Sequence, residues 1–210
     1  MLSNRIARLA PPPRPVPLPL VCSAMLGLTG GIGAAFLIMG LGAVWLSLGD
    51  PGVPPWVWVV LFVFVLIGAV FFTLSTVRGL RWVALLRYGE VAGAETIQRH
   101  STNTYVNDQP VYRYDYRFRG SDGRMHAGSS RALGQEEIGD EAQEPVLYLP
   151  SNPERSGLVD ALPLRCPLDV DEEGHWVSYE SVWPIVWCGL AWGGVAAMVG
   201  YGLLRLLGLV

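Results

Sequence analysis

Lysine is absent from this chain of 210 residues; all fifteen basic residues are arginine. With abundant Ala, Gly, Pro and Trp, that uniform replacement reads as a coding bias rather than local selection for bidentate arginine chemistry. Cysteine is scarce and scattered. Cys22, Cys166 and Cys188 show no C-x-x-C spacing, which excludes a disulfide framework and leaves three small apolar side chains. Charge is the third scarcity, at 16% of residues, where a soluble domain carries roughly 25%. It is withheld in blocks: no charged residue lies from Pro15 to Gly49, from Pro51 to Val77, or from Ser181 to Leu204. Such blocks exclude a disordered chain, a collagen, a disulfide knot and a simple cytosolic enzyme.

Those blocks are apolar and long. A helix needs about 20 apolar residues to cross a hydrocarbon core, and only a helix satisfies its own backbone there. Three spans are expected, at 20–48, 56–77 and 182–210. The Gly49-Asp50-Pro51-Gly52-Val53-Pro54-Pro55 link folds the first two into an antiparallel hairpin. The first span exceeds the roughly 7–15 apolar residues of a signal-peptide core and is read as retained. Six prolines between Pro11 and Pro19 make the entry to the membrane, the end of a Pro/Arg-rich cytoplasmic N-terminus 1–19, extended or polyproline-like.

Arginine placement sets the orientation. Arg5, Arg8 and Arg14 precede the first span, and Arg78, Arg81 and Arg87 follow the second, whereas the link holds only Asp50. The N-terminus and the polar region are therefore expected inside an inner (plasma) membrane, and the C-terminus outside. Arg205 is the exception, placed to snorkel to the outer headgroups. Gly27-x-x-x-Gly31 and Gly189-x-x-x-Gly193 suit close packing between these helices or between copies of the chain. No Asp, Glu, Lys or His lies within the spans, which argues against a transporter or channel built from this chain alone.

The polar region is acidic. Between Tyr88 and Ser181 stand seventeen acidic and eight basic residues, a balance of −9. Phosphate contacts need clustered positive charge, so a nucleic-acid partner is not expected. Residues 78–89 read as an amphipathic connector continuing the second helix, ended by Gly89. Then the period becomes two. Val91 to Gln98 is an expected strand, followed by a polar turn at Ser101-Thr102-Asn103-Thr104. Val111 to Arg119 alternates Tyr112, Tyr114, Tyr116 and Phe118 with Arg113, Asp115, Arg117 and Arg119, a strand with an aromatic core face. Gly120-Ser121-Asp122-Gly123 turns it into a return strand from Arg124. Val146 to Leu149 and Ser156 to Asp160 follow, joined at Pro150-Ser151-Asn152-Pro153. The fold class is thus three transmembrane helices with a small antiparallel β barrel or sandwich, 90–162, inserted between the second and third. An acidic linker, 163–181, leads to the last span.

The run Val91 to Ala94, then Tyr112-x-Tyr114-x-Tyr116-x-Phe118, Asp122-Gly123, Ser129-Ser130 and Val146-Leu147-Tyr148-Leu149-Pro150-Ser151-Asn152-Pro153-Glu154-Arg155-Ser156 resembles the domain-of-unknown-function family 3592. The resemblance covers about Arg87 to Asp160. It implies a bacterial membrane protein with an anchored β domain and supplies no catalytic residues. Leu149 stands where that family often has Asp.

Two acidic features remain. Asp169-Val-Asp171-Glu-Glu173-Gly174, with Glu180 after it, approaches the spacing of a calcium loop, with Asp169, Asp171, Glu173 and Glu180 as oxygen ligands. Glu at the fifth position departs from that pattern, and Pro163 and Pro167 exclude an entering helix. Glu136, Glu137, Asp140, Glu141 and Glu144 form a solvated face. His100, His126 and His175 share no ligand spacing. No P-loop, dinucleotide fingerprint or nucleophile elbow is present, and Gly128-Ser129-Ser130 lacks a second glycine; no cofactor is expected. The reading is a non-enzymatic membrane-anchored module. Its partners are the lipid bilayer and either an unidentified protein or a second copy through Gly27, Gly31, Gly189 and Gly193. The alternative is a calcium-responsive sensor or membrane-associated enzyme using 169–180.

Overall fold

A computed structural model describes residues 6, 8–48, 50–106, 108–133, 138, 143–162, 168–178 and 182–207. The chain forms two compact units, one of residues 18–80 and 180–210, the other of 1–17 and 81–179.

The first unit is helical. Helix α1 (Leu18–Leu26) breaks at Gly27 into α2 (Leu28–Ser47), so the first apolar stretch is two helices and not one. Helix α3 (Pro55–Tyr88) runs unbroken for 34 residues, and α4 (Trp183–Leu206) closes the chain. Three of the four, α2, α3 and α4, are long and apolar enough to cross a membrane. Ala34, Leu37 and Phe72 form their buried core, with Val65, Ala69, Ala191 and Val195 against it. Phe72 and Trp192 meet at 4.7 Å between ring centroids. The packing glycines are Gly33 and Gly68: a Cβ on Gly33 would lie 2.5 Å from the Phe72 amide nitrogen, and one on Gly68 2.7 Å from that of Leu37. Such contact lets helix backbones touch. Gly27, Gly31, Gly189 and Gly193 have no neighbour within 4 Å of where a Cβ would stand. Packing between these helices thus falls to other glycines, among them Gly33 and Gly68. Arg205 donates to the Trp45 carbonyl, in the last turn of α2, where free carbonyls attract a cation.

The second unit is built on β-structure. Strands β1 (Glu90–Val106), β2 (Gln109–Arg119), β3 (Met125–Leu133), β4 (Glu144–Leu149) and β5 (Asn152–Leu158) form one antiparallel sheet in the order β3-β2-β1-β4-β5. Strand β1 serves both halves. Glu90 to Ala94 pairs with β4, and Ala94 to Val106 pairs with β2, with a bulge at the handover. The sheet curls until its edges touch. Leu158 N–H on β5 donates to Ser130 Oγ on β3 at 3.1 Å, and the Tyr116 hydroxyl meets Ser156 Oγ at 3.1 Å. Alternation on β2 sends Tyr114, Tyr116 and Phe118 inward, against Ala94, Val146, Tyr148, Leu158 and Ala161.

Three features differ from the sequence reading. Residues 101–104 are not a turn: Ser101 pairs with Tyr112 and the strand runs on to Val106, which pairs with Gln109; Asp108 has φ 61°. A bulge between Ser101 and Tyr105, with Thr102 Oγ1 donating to the Val111 carbonyl, lets this polar stretch remain a strand. The 163–181 segment is not simply a linker, since β6 (Leu168–Val170) and β7 (Trp176–Ser178) form a hairpin. The described residues of the N-terminal stretch, 6 and 8–17, group with the β unit. Ile6 is 1% exposed, and the hydrogen bonds that bind this segment are described below.

Candidate functional site

The acidic motif folds as the β6–β7 turn. Asp171 N–H donates to the His175 carbonyl at 3.0 Å, and the His175 N–H donates back to Asp171 Oδ1 at 2.6 Å. Asp169 Oδ1 accepts the Val170 N–H at 2.8 Å. Side chains of Asp and Asn stabilise turns in this way. Asp169 and Asp171 therefore serve the hairpin, Glu173 stands in its turn, and among the described residues no group of three or more His, Cys, Asp or Glu could hold a metal ion. Glu180 lies outside the described residues, as do Cys166, Pro163, Pro167, Glu136, Glu137, Asp140 and Glu141. Glu144 opens β4 and is 1% exposed.

The hairpin instead binds the N-terminal segment. Gly174, at φ +83°, accepts the Ala10 N–H on its carbonyl at 3.0 Å. A side chain there would overlap the Arg8 carbonyl and the Ala10 amide. Trp176 is 2% exposed and donates its indole N–H to the Leu86 carbonyl at 2.9 Å. Arg14, 3% exposed, donates to the Gly89 carbonyl at 2.7 Å and to the Ala10 carbonyl, while its own N–H bonds the Arg87 carbonyl at 2.9 Å. Burial lowers the Arg14 pKa from its ordinary value, and Glu90 opposes that shift. These bonds satisfy the Leu86 and Arg87 carbonyls, two of those left free where α3 ends. The sequence reading placed Arg14 among the orienting charges and assigned neither it nor Trp176 to this clasp.

The outer face of β1, β2 and β3 is an open polar surface. Residues opposite one another in antiparallel strands share a face. His100, Arg113 and Arg131 thus form one row, and Gln98, Asp115 and Ser129 the next. Asp115 holds Arg113 at 2.8 Å and His100 at 3.4 Å. A groove of about 680 Å³ runs beside them, lined by Gln98, Arg113, Asp115, Arg117, Ser129 and Glu154. At Gly128 its lining is bare backbone. A Cβ there would lie 2.5 Å from the Tyr116 ring. Arg117 has no ion-pair partner among the described residues. The remaining histidines serve turns: His126 pairs with Asp122 at 3.1 Å and His175 with Asp171 at 3.7 Å. The Arg124 N–H and then His126 lower the Asp122 pKa.

Only one half of this surface was legible beforehand. The alternation on β2 put Arg113, Asp115 and Arg117 on one face, but Gln98, Ser129 and Glu154 join them only through pairing and curling of the sheet. Comparison with family models, with curated proteins and with solved structures found no match to this chain.

Proposed function

We propose that this chain is a non-enzymatic interaction or assembly module, anchored in the inner membrane by its helices and presenting its β unit to the cytoplasm. The observation that carries the reading is the groove on the outer face of β1–β3, where charges of both signs and bare backbone line one open surface. The aromatic side chains of β2 fill the interior, so the polar face is the one free to make contacts. Its ion pairs are half-exposed. Each is worth under about 1 kcal/mol, so a partner's charges can displace them at little cost. Polar surfaces of this kind suit non-obligate protein contacts.

The β unit is read as a small, partly open barrel, since β1 is shared by both halves and the two edges, β3 and β5, meet. In five-stranded barrels of the oligonucleotide- and oligosaccharide-binding type the face of strands two and three carries the ligand. The acidic balance of this domain favours a protein there rather than a nucleic acid. The resemblance to the domain-of-unknown-function family 3592 agrees with an anchored β domain. The orientation rests on the arginines that flank the spans.

A photoreactive amino acid at Gln98 or Ser129, activated in native membranes, tests the proposal. A recurrent adduct from both positions, lost with Arg117→Glu and absent from a control at Glu173, is the expected result. Failure of both groove positions to yield any recurrent adduct would overturn it.

A further inference from the structure

The polar region is acidic as a whole, but the outer face of β1–β3 is not. Register puts Arg113, Arg117, Arg119 and Arg131 on that face, because alternate residues of a strand share one side. Asp115 holds Arg113 at 2.8 Å, and Glu95 holds Arg119 at 3.7 Å. Arg117 and Arg131 have neither an ion pair nor a hydrogen-bond partner among the described residues. Arg131 lies opposite Arg113, so the two free arginines stand four residues apart along the strands and one strand apart across them. At about 3.4 Å per residue and about 4.8 Å per strand, their backbones are roughly 14 Å apart. The row of Gln98, Asp115 and Ser129 lies between them.

We infer, on the reading of this face as the contact surface, that it takes an extended acidic segment of a partner protein, with two carboxylates four residues apart. In an extended chain the first, third and fifth side chains point the same way, and the first and fifth are roughly 13 Å apart. Each carboxylate then accepts from one free guanidinium, the pairing that arginine favours. The third side chain falls over Asp115, and Glu154 lines the same groove. A carboxylate there is repelled, whereas a neutral hydroxyl or amide meets Ser129 and Gln98. A nucleic-acid strand, charged at every nucleotide, has no such neutral position.

The test titrates the full chain in detergent against fluorescein-labelled Thr-Glu-Val-Thr-Val-Glu-Thr, followed by fluorescence anisotropy. This peptide should bind about tenfold more tightly than its counterpart with both glutamates changed to glutamine, and raised salt should weaken it. It should also outbind Thr-Glu-Val-Glu-Val-Gln-Thr, which carries the same charge at the wrong spacing. Arg117→Glu and Arg131→Glu should each abolish the preference with Tm unchanged. Equal binding of the three peptides, no binding of the first, or a preference that survives both charge reversals overturns the inference. The peptide comparison needs only the unsubstituted chain, so it decides the matter should a variant fail to fold. Photoadducts from Gln98 and Ser129 to a segment without the spaced carboxylates would also overturn it, while leaving the interaction module itself standing.

Discussion

Gly174 sits at a position where two demands coincide. Its φ of +83° belongs to the left-handed region, and the space where a Cβ would stand is filled by the backbone of Arg8 and Ala10. A non-glycine residue held in such a conformation costs about 1–3 kcal/mol, before the overlap is counted. Gly174→Ala should therefore lower the stability of the β unit by at least about 1 kcal/mol and loosen the N-terminal segment. Limited trypsinolysis of the detergent-solubilised chain checks this. Cleavage after Arg8 should accelerate together with a fall in Tm, and an unchanged rate would show that the clasp does not hold this segment. Two clasp residues carried another meaning in the sequence: Gly174 was the glycine of a calcium loop and Arg14 an orienting charge. Their shared role depends on residues 10, 86, 89 and 174 meeting, which no local pattern encodes.

Period-two alternation made β2 readable, because a strand that packs one face on a core must alternate. The same stripe fixes how the sheet responds to base. Burial raises the pKa of Tyr114, Tyr116 and Tyr148, with Ser156 and Ser130 acting against it at Tyr116, and Ser121 against and Glu90 with it at Tyr148. A phenol with a raised folded pKa keeps its proton in the fold after the unfolded chain has lost it. The resulting stabilisation is fully present below the ordinary tyrosine value of about 10 and is lost as pH climbs through the folded values. Alkaline titration followed by tyrosinate absorbance and circular dichroism should show the buried tyrosines ionising late, together with loss of β-structure. Ionisation at the ordinary value with the sheet intact would contradict their burial. Strand β1 was less readable. Its second half is polar because it extends beyond the core while still pairing with β2, so composition marked a turn where hydrogen bonding makes a strand. The groove was half readable for the same reason: alternation assigns faces within a strand, whereas neighbours across a curled sheet follow from register.

Two independent arguments support the proposal that the N-terminal segment and the β unit share one side of the membrane. The first is charge. Arg8 and Arg14 flank the start of the first span, Arg78, Arg81 and Arg87 belong to the last turns of α3, and Asp50 alone marks the link between α2 and α3. Positive flanks stay cytoplasmic. The second is hydrogen bonding. Arg14 binds the Arg87 and Gly89 backbone and Ala10 binds Gly174, which is possible only if the chain crosses the bilayer an even number of times between residues 14 and 87. In the proposed topology one crossing by the α1–α2 stretch and one return by α3 meet that condition, and α4 would carry the C-terminus across. Single cysteines at Gly52 and Asn103, in a background without native cysteines, test the assignment in intact cells with an impermeant maleimide. Gly52→Cys should react at once, and Asn103→Cys only after the cells are opened. The reverse pattern would invert the molecule and move the β1–β3 groove to the outside, so the search for its partner would shift from cytosolic proteins to those of the envelope.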